Sequence, residues 1–257
     1  MKPAVSIVTP VYNGEKTIAY TIESVLNQTF DNFEMIIVDD KSNDNTISII
    51  KKYQALDKRI KLFTLEKKSG AASARNRAIK EANGKYVAFL DCDDLWLKDK
   101  LEQQINFMKK NNIYFSYTDY SYIDENGNSL GIYRKCPKKM SYFRMLLGNS
   151  VGCLTVIYNQ NKVGKIEIPN ISKRNDYAIW CKVLKKVGVG YKYNKIIANY
   201  RKSNNSLSSG KKVQLLKYHY EMHRKVNNMN ICLSFFFTIT NTINYFVNRY
   251  IRDRKIR

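Results

Sequence analysis

The feature that most constrains this chain is the alternation in its first hundred residues, where short β-rich runs take turns with runs of helical period. AVSIVTPVY, FEMIIVDD, IKLFTL and YVAFLD are rich in β-branched and aromatic residues, whereas TIAYTIESVLNQ, TISIIKKYQAL and AASARNRAIKEA carry their apolar residues at three- and four-residue steps. Asn13-Gly14, Asn43-Asp44 and Asn83-Gly84 mark turns. This order predicts βαβ units in a mostly parallel sheet, an α/β domain that starts at residue 4. Ligands of such sheets bind beyond the carboxyl ends of the strands, which is where Asp39, Asp40, Asp91 and Asp93 fall.

Beyond residue 100 the pattern turns toward antiparallel pairing. A helix is expected over 98–112, then the strand YFSYTDYSYI, a turn at Glu125-Asn126-Gly127-Asn128 and a return strand through Ile132 and Tyr133. A helix near 139–147, a strand near 152–158, a helix over 174–187 and a strand over 189–197 follow, with Gly188 and Gly190 suited to the last turn. The polar stretch 201–212 reads as a loop, and 211–229 as a charged helix. Over 231–251, Phe235, Ile239, Ile243, Phe246 and Tyr250 share one face, and Asn241, Asn244, Asn248 and Arg252 another. With Arg249, Arg254, Lys255 and Arg257 this makes a basic amphipathic helix, which either lies in an anionic lipid interface or packs on the core.

Charge is unevenly divided. Residues 1–135 hold 20 Lys and Arg against 18 Asp and Glu, and residues 136–257 hold 24 against 4, within a chain of net charge +22. The basic half calls for partners that carry phosphate or an anionic membrane face. Nucleic acid is the rival partner, but no recognition helix, RNP-type sheet motif or zinc module is visible, and the acidic cluster would repel a phosphate backbone. Five scattered cysteines without a C-x-x-C pair fit a reducing cytosol, not a disulfide framework or a zinc knuckle. The N-terminal MKPAVSIVTPVYN, broken by Pro10 and Asn13, reads as a first strand and not a signal peptide, and no run reaches the roughly 20 apolar residues of a spanning helix. His219 and His223 enclose Glu221 but lack the H-E-x-x-H order of a zinc site. Tyr114, Tyr117, Tyr120 and Tyr122 read as groove lining or core.

Asp91-Cys92-Asp93-Asp94 directly follows the strand YVAFL, so carboxylates emerge where the chain leaves the sheet. Oxygen ligands there suit a hard divalent cation, and Mg²⁺ takes one or two carboxylates while phosphate and water complete its shell.

The stretches SIVTPVYNGEKTIAYTIESVLNQTF, IIVDDKSNDNT, GAASARNRAIKEANGKYVAFLDCDDLW, KRNDYAIWCKVL and NYRKSNNSLSS run in order over about residues 4–210. Together they resemble an inverting family-2 glycosyltransferase of the bacterial surface-polysaccharide type. The resemblance implies the GT-A (nucleotide-diphospho-sugar transferase) fold, a mixed, mostly parallel sheet flanked by helices. Residues 1–210 would be the catalytic domain, with 1–100 its nucleotide-sugar half and 101–210 its acceptor half, and 211–257 a basic helical appendage. It implies that Thr9, Pro10 and Tyr12 line the base pocket, that Asp39 or Asp40 accepts from uracil or ribose, and that Asp91 lies at the ribose or sugar. Asp93 would bind Mn²⁺ or Mg²⁺ across the donor diphosphate. Arg75 would either orient Asp91 or Asp93 as an ion-pair partner or touch substrate, and Arg201, in a closing loop through Ser206-Leu207-Ser208, would contact a diphosphate. Asp176 matches the base that deprotonates the acceptor; its plainer reading is a helix N-cap. Asn175 departs from the acidic residue or Gln the family often carries there. The implied reaction is inverting transfer of glucose or galactose from a UDP-sugar to GlcNAc- or GalNAc-diphospho-undecaprenol in O-antigen, lipopolysaccharide or capsule assembly, by an enzyme peripheral on the inner face of the plasma membrane. GlcNAc or GalNAc transfer in cell-wall polymer synthesis is the alternative.

Overall fold

The computed structural model describes residues 2–171, 173–202 and 212–256, with the side chains of 212–215, 245, 246 and 248–251 outside that description. The alternation of the first hundred residues is realised as β1 (Val5–Val11), α1 (Ile18–Leu26), β2 (Phe33–Asp39), α2 (Thr46–Leu56), β3 (Ile60–Thr64), α3 (Ala71–Glu81) and β4 (Tyr86–Phe89). There follow β5 (Leu95–Trp96), α4 (Lys100–Lys110), β6 (Phe115–Ile123), β7 (Ser129–Arg134), β8 (Lys139–Ser141), α5 (Tyr142–Leu147), β9 (Ile157–Asn159) and α6 (Gln160–Val163). The chain closes with α7 (Asn175–Val187), β10 (Val189–Arg201), α8 (Lys212–Lys225), α9 (Ile231–Arg252) and β11 (Asp253–Lys255).

The sheet runs β11-β7-β6-β9-β4-β1-β2-β3, parallel from β4 to β3 and antiparallel where β9 joins β4 and β6. Every residue of β1, β2 and β4 is buried, as expected of strands covered on both faces. Val8, Ile36, Val38 and Phe89 belong to the core on one side of the sheet, and Ile7, Val11, Met35 and Ile37 to the core on the other. α3 buries Ala72, Ala74 and Ala78, whose small side chains bring its backbone close to β1 and β2. Strand order reverses at β1, with β2 on one flank and β4 on the other. A crevice therefore opens beyond their carboxyl ends.

Three expected elements shift. The helix near 139–147 begins only at Tyr142, because Lys139–Ser141 pairs antiparallel with β10. The strand near 152–158 divides into a 3-10 turn over Cys153–Thr155 and the short β9. The strand over 189–197 runs on to Arg201, since β5, β6 and β8 all supply partners along it. Both C-terminal helices form, and Met222, Val226 and Phe237 enter the main core. α9 packs its polar side inward: Asn241 Nδ2 donates to the Leu146 carbonyl, Asn241 Oδ1 accepts from Tyr177 Oη at 3.1 Å, and Asn244 Nδ2 donates to the Leu147 carbonyl at 2.7 Å. Tyr117 is core, with its hydroxyl donating to the Pro137 carbonyl at 2.8 Å.

Candidate active site

Val11 and Asp39 are register partners of the parallel β1–β2 pair, so alternation puts Thr9 and Asp39 on the same face at the carboxyl ends. Both are fully buried, and Thr9 Oγ1 and Asp39 Oδ1 find no hydrogen-bond partner among the described residues. Asp39 Oδ2 accepts from the Ser42 amide at 3.0 Å. Asp40 differs, because its two oxygens accept from the amides of Ser69 (2.6 Å) and Gly70 (2.8 Å), tying down the approach to α3, where Gly70 takes φ 89°. Of the two candidates, Asp39 keeps an open acceptor and Asp40 is engaged by the fold. Pro10 is buried in β1, while Tyr12 just beyond it is 39% exposed, one ring face lying under Lys68 Nζ at 3.7 Å.

The loop after β4 concentrates negative charge. Burial and the neighbouring Asp91 push the Asp93 carboxyl up to about 6, and burial with Asp93 and Asp91 raises Asp94 as well. Asp94 accepts from the Arg201 amide at 3.0 Å. Arg201 is the last residue of β10 and is buried, so it does not stand on a loop as expected. Its Nε donates to the Asp93 carbonyl (2.9 Å) and its Nη1 to the carbonyls of Asp124 (3.2 Å) and Glu125 (2.7 Å), which clamps the acidic loop to the turn after β6. The remainder of the expected closing loop, Ser206-Leu207-Ser208 included, lies outside the described residues.

The third element is the start of α7. Trp180 packs edge-on to Phe89 with ring centres 4.9 Å apart and also meets Phe115 at 5.7 Å. Asp176 stands one helical turn before Trp180, and Asp91 two residues after Phe89, so the contact that seats the helix also brings the two carboxylates toward each other. Arg75 of α3, 6% exposed, ties the Asp91 loop to the start of α7: Nη2 pairs with Asp91 Oδ1 and Nη1 donates to Asn175 Oδ1. Burial works against its charge, but the Asp91 and Asp176 carboxylates outweigh burial and hold the guanidinium protonated. Asn149 Nδ2 lies 3.4 Å from Asp176 Oδ2, while Asn149 Oδ1 accepts from the Val151 amide at 2.9 Å, which fixes the orientation of the amide. Arg174 precedes the helix in the left-handed region, φ 65°, a costly conformation for a residue of its size at the threshold of the site.

Thr9, Asp39, Asp91, Asp93, Arg75 and Asp176 are thus delivered by the strand ends and by two helix starts. No motif marks Asn149, which meets Asp176, and the bond of Asp94 to β10 is non-local. Asn175, a departure from the family pattern, takes Arg75 on its amide oxygen. His219 and His223, on α8, are buried against Tyr177 behind α7 with ring centres 6.1 and 6.2 Å away. Among the described residues no three His, Cys, Asp or Glu side chains gather into an all-protein metal cage.

Comparison with known proteins places the chain in a family. The pattern of Glycosyl transferase family 2 matches residues 6–162. The putative teichuronic acid biosynthesis glycosyltransferase TuaG of Bacillus subtilis (strain 168) is 46% identical over 210 residues, covering 82% of this chain and 83% of that protein. The UDP-Glc:alpha-D-GlcNAc-diphosphoundecaprenol beta-1,3-glucosyltransferase WfgD of Escherichia coli is 42% identical over 212 residues, 80% of each. The crystal structure of S. aureus TarS 1-349 in complex with UDP-GlcNAc shares the fold at TM-score 0.71 and 24% identity, covering 90% of this chain and 68% of that one. The family pattern over more than half of the chain and relatives of this identity and coverage show that the chain belongs to glycosyl transferase family 2 and has the GT-A fold.

Proposed function

We propose that the protein transfers a hexose, glucose or galactose, from UDP to a hydroxyl of GlcNAc- or GalNAc-diphospho-undecaprenol or a related surface-glycan acceptor, with inversion at the anomeric carbon. The observation that carries this reading is the meeting of Arg75 with Asp91 and with the start of α7, in a chain whose Thr9 Oγ1 and Asp39 Oδ1, at the carboxyl ends of β1 and β2, lack partners among the described residues. The names of WfgD, a glucosyltransferase acting on a diphosphoundecaprenol-linked GlcNAc, and of TuaG, in teichuronic acid biosynthesis, support the substrate class.

In this reading Asp39 accepts from uracil or ribose while Tyr12 and Pro10 flank the base. Asp93, an oxygen donor whose ionisation is opposed first by burial and then by Asp91, fits a hard divalent cation, Mn²⁺ or Mg²⁺. When bound, that cation supplies charge neutralisation for the departing diphosphate. Arg201 acts by holding the Asp93 loop. Asp176 takes the proton of the acceptor hydroxyl as the new glycosidic bond forms, with Asn149 and Arg75 keeping the first turn of α7 in place. A lipid-linked acceptor puts the enzyme on the inner face of the plasma membrane as a peripheral protein. No helix among the described residues is long and apolar enough to cross a membrane. The basic second half suits anionic lipid and diphosphate, and nucleic acid has no part.

The test is to incubate the purified protein with a synthetic GlcNAc-diphosphate-lipid and a panel of UDP-sugars, with and without EDTA. A β-linked hexose whose formation EDTA abolishes is the expected product. An α-linked product would overturn inversion, and transfer of only GlcNAc or GalNAc would favour a cell-wall polymer role.

A further inference from the structure

α9 turns its apolar side away from the protein. Ile231, Phe235, Ile239, Ile243 and Val247 follow one another at four-residue steps and are between 42% and 65% exposed, with Leu233 and Phe236 beside them, whereas Ser234, Thr238 and Asn241 on the opposite side are buried. A surface helix ordinarily has the reverse arrangement. Phe143 of α5, also exposed, stands over the buried Phe237 of α9 in an edge contact at 6.2 Å. No charged residue occurs from Ile231 to Asn248. Cations stand at both ends of this helix of about 33 Å: Arg224 and Lys225, with Arg224 Nη1 donating to the Met229 carbonyl just before α9, and Arg254 and Lys255 just after it, all exposed.

We propose that this strip is a docking surface for an anionic lipid interface, with α9 lying in the membrane plane, its apolar row at the acyl boundary and its two basic ends on headgroups. The inference deepens the membrane part of the function proposed above by naming the face. Charge selects lipid over a second copy of the chain, because residues 211–257 carry ten Lys and Arg against two Asp and Glu and would repel themselves across a two-fold contact. Spanning is ruled out by the inward polar side, whose Asn241 and Asn244 are bonded to α5 carbonyls. Tyr177, next to Asp176, is the hydroxyl bonded to Asn241, so the strip lies one helix away from the proposed base.

Co-sedimentation of the full chain with phosphatidylglycerol/phosphatidylethanolamine vesicles and with pure phosphatidylcholine vesicles, without any sugar nucleotide, tests this directly. The wild type should bind the anionic vesicles. F235E/I239E should lower partitioning by about tenfold or more at unchanged thermal stability. Lys255→Gln should lower it about fivefold, an effect that high salt removes. Anionic-vesicle binding by F235E/I239E equal to wild type would overturn the proposal. So would a concentration-dependent dimer, dissociated by the same substitutions, in a protein that ignores vesicles. Vesicle binding without sugar transfer would sink the enzymatic reading and leave the docking surface standing.

Discussion

At the amino ends of the central strands, Glu34 is 2% exposed and its carboxylate accepts from Ser6 Oγ (2.6 Å), the Asn83 amide (2.9 Å) and Lys61 Nζ (2.6 Å). Gly84 closes in so tightly there that a Cβ on it would lie 2.6 Å from the Ser6 nitrogen. At the carboxyl ends of the same strands Asp39 is fully buried, yet one oxygen is without a partner among the described residues, and Asp93 is crowded by Asp91. Buried polar groups cost free energy unless they are paired. The amino end satisfies itself, whereas the carboxyl end keeps an unpartnered acceptor among the described residues, the place the proposed function gives to the nucleotide. A buried acid on a strand is therefore not evidence of function until its partners have been counted.

This contrast can be broken or sharpened in several ways. Asp176→Asn should lower transfer by about a thousandfold and leave UDP affinity unchanged, as turnover and calorimetry would show. Arg75→Lys keeps the charge but not the fork that reaches Asp91 and Asn175 together, and kcat should fall about a hundredfold. Equal turnover would deny that α7 needs the tie. A third region, the α8 buttress behind α7, answers to pH. Burial lowers His219 to about 3 and His223 to about 4, below their ordinary 6.5. The unfolded chain therefore takes up protons below about pH 6.5 that the folded chain refuses, and stability falls as pH drops toward 4. Urea denaturation at pH 7 and pH 5 should show a loss of about 3 kcal/mol from the pair, and the double His→Gln variant a shallower slope. The smallest effect belongs to the amino end, where Glu34→Gln should cost about 2 kcal/mol of stability without moving kcat/KM.

The parallel half of the fold and the strand-end acids were legible because apolar period and acid position are local properties. Non-local partners decided the rest. Arg201 reads as loop in a polar stretch, but pairing with β6 carries β10 through it. Asp39 and Asp40 are indistinguishable in sequence, and only the amides of Ser69 and Gly70 separate them. The two faces of α9 were legible, but not which of them would be buried, because that depends on carbonyls left open at the end of α5. Asn149 touches Asp176 across 27 residues and carries no motif.

The open carboxyl end is tested most directly by titrating UDP into wild type and Asp39→Asn in the calorimeter, alongside their unfolding free energies. The expected result is UDP affinity weakened by about tenfold or more, with stability within about 1 kcal/mol of wild type. Undiminished UDP affinity with a clear loss of stability would make Asp39 a second Glu34 and contradict the assignment of this end to the nucleotide.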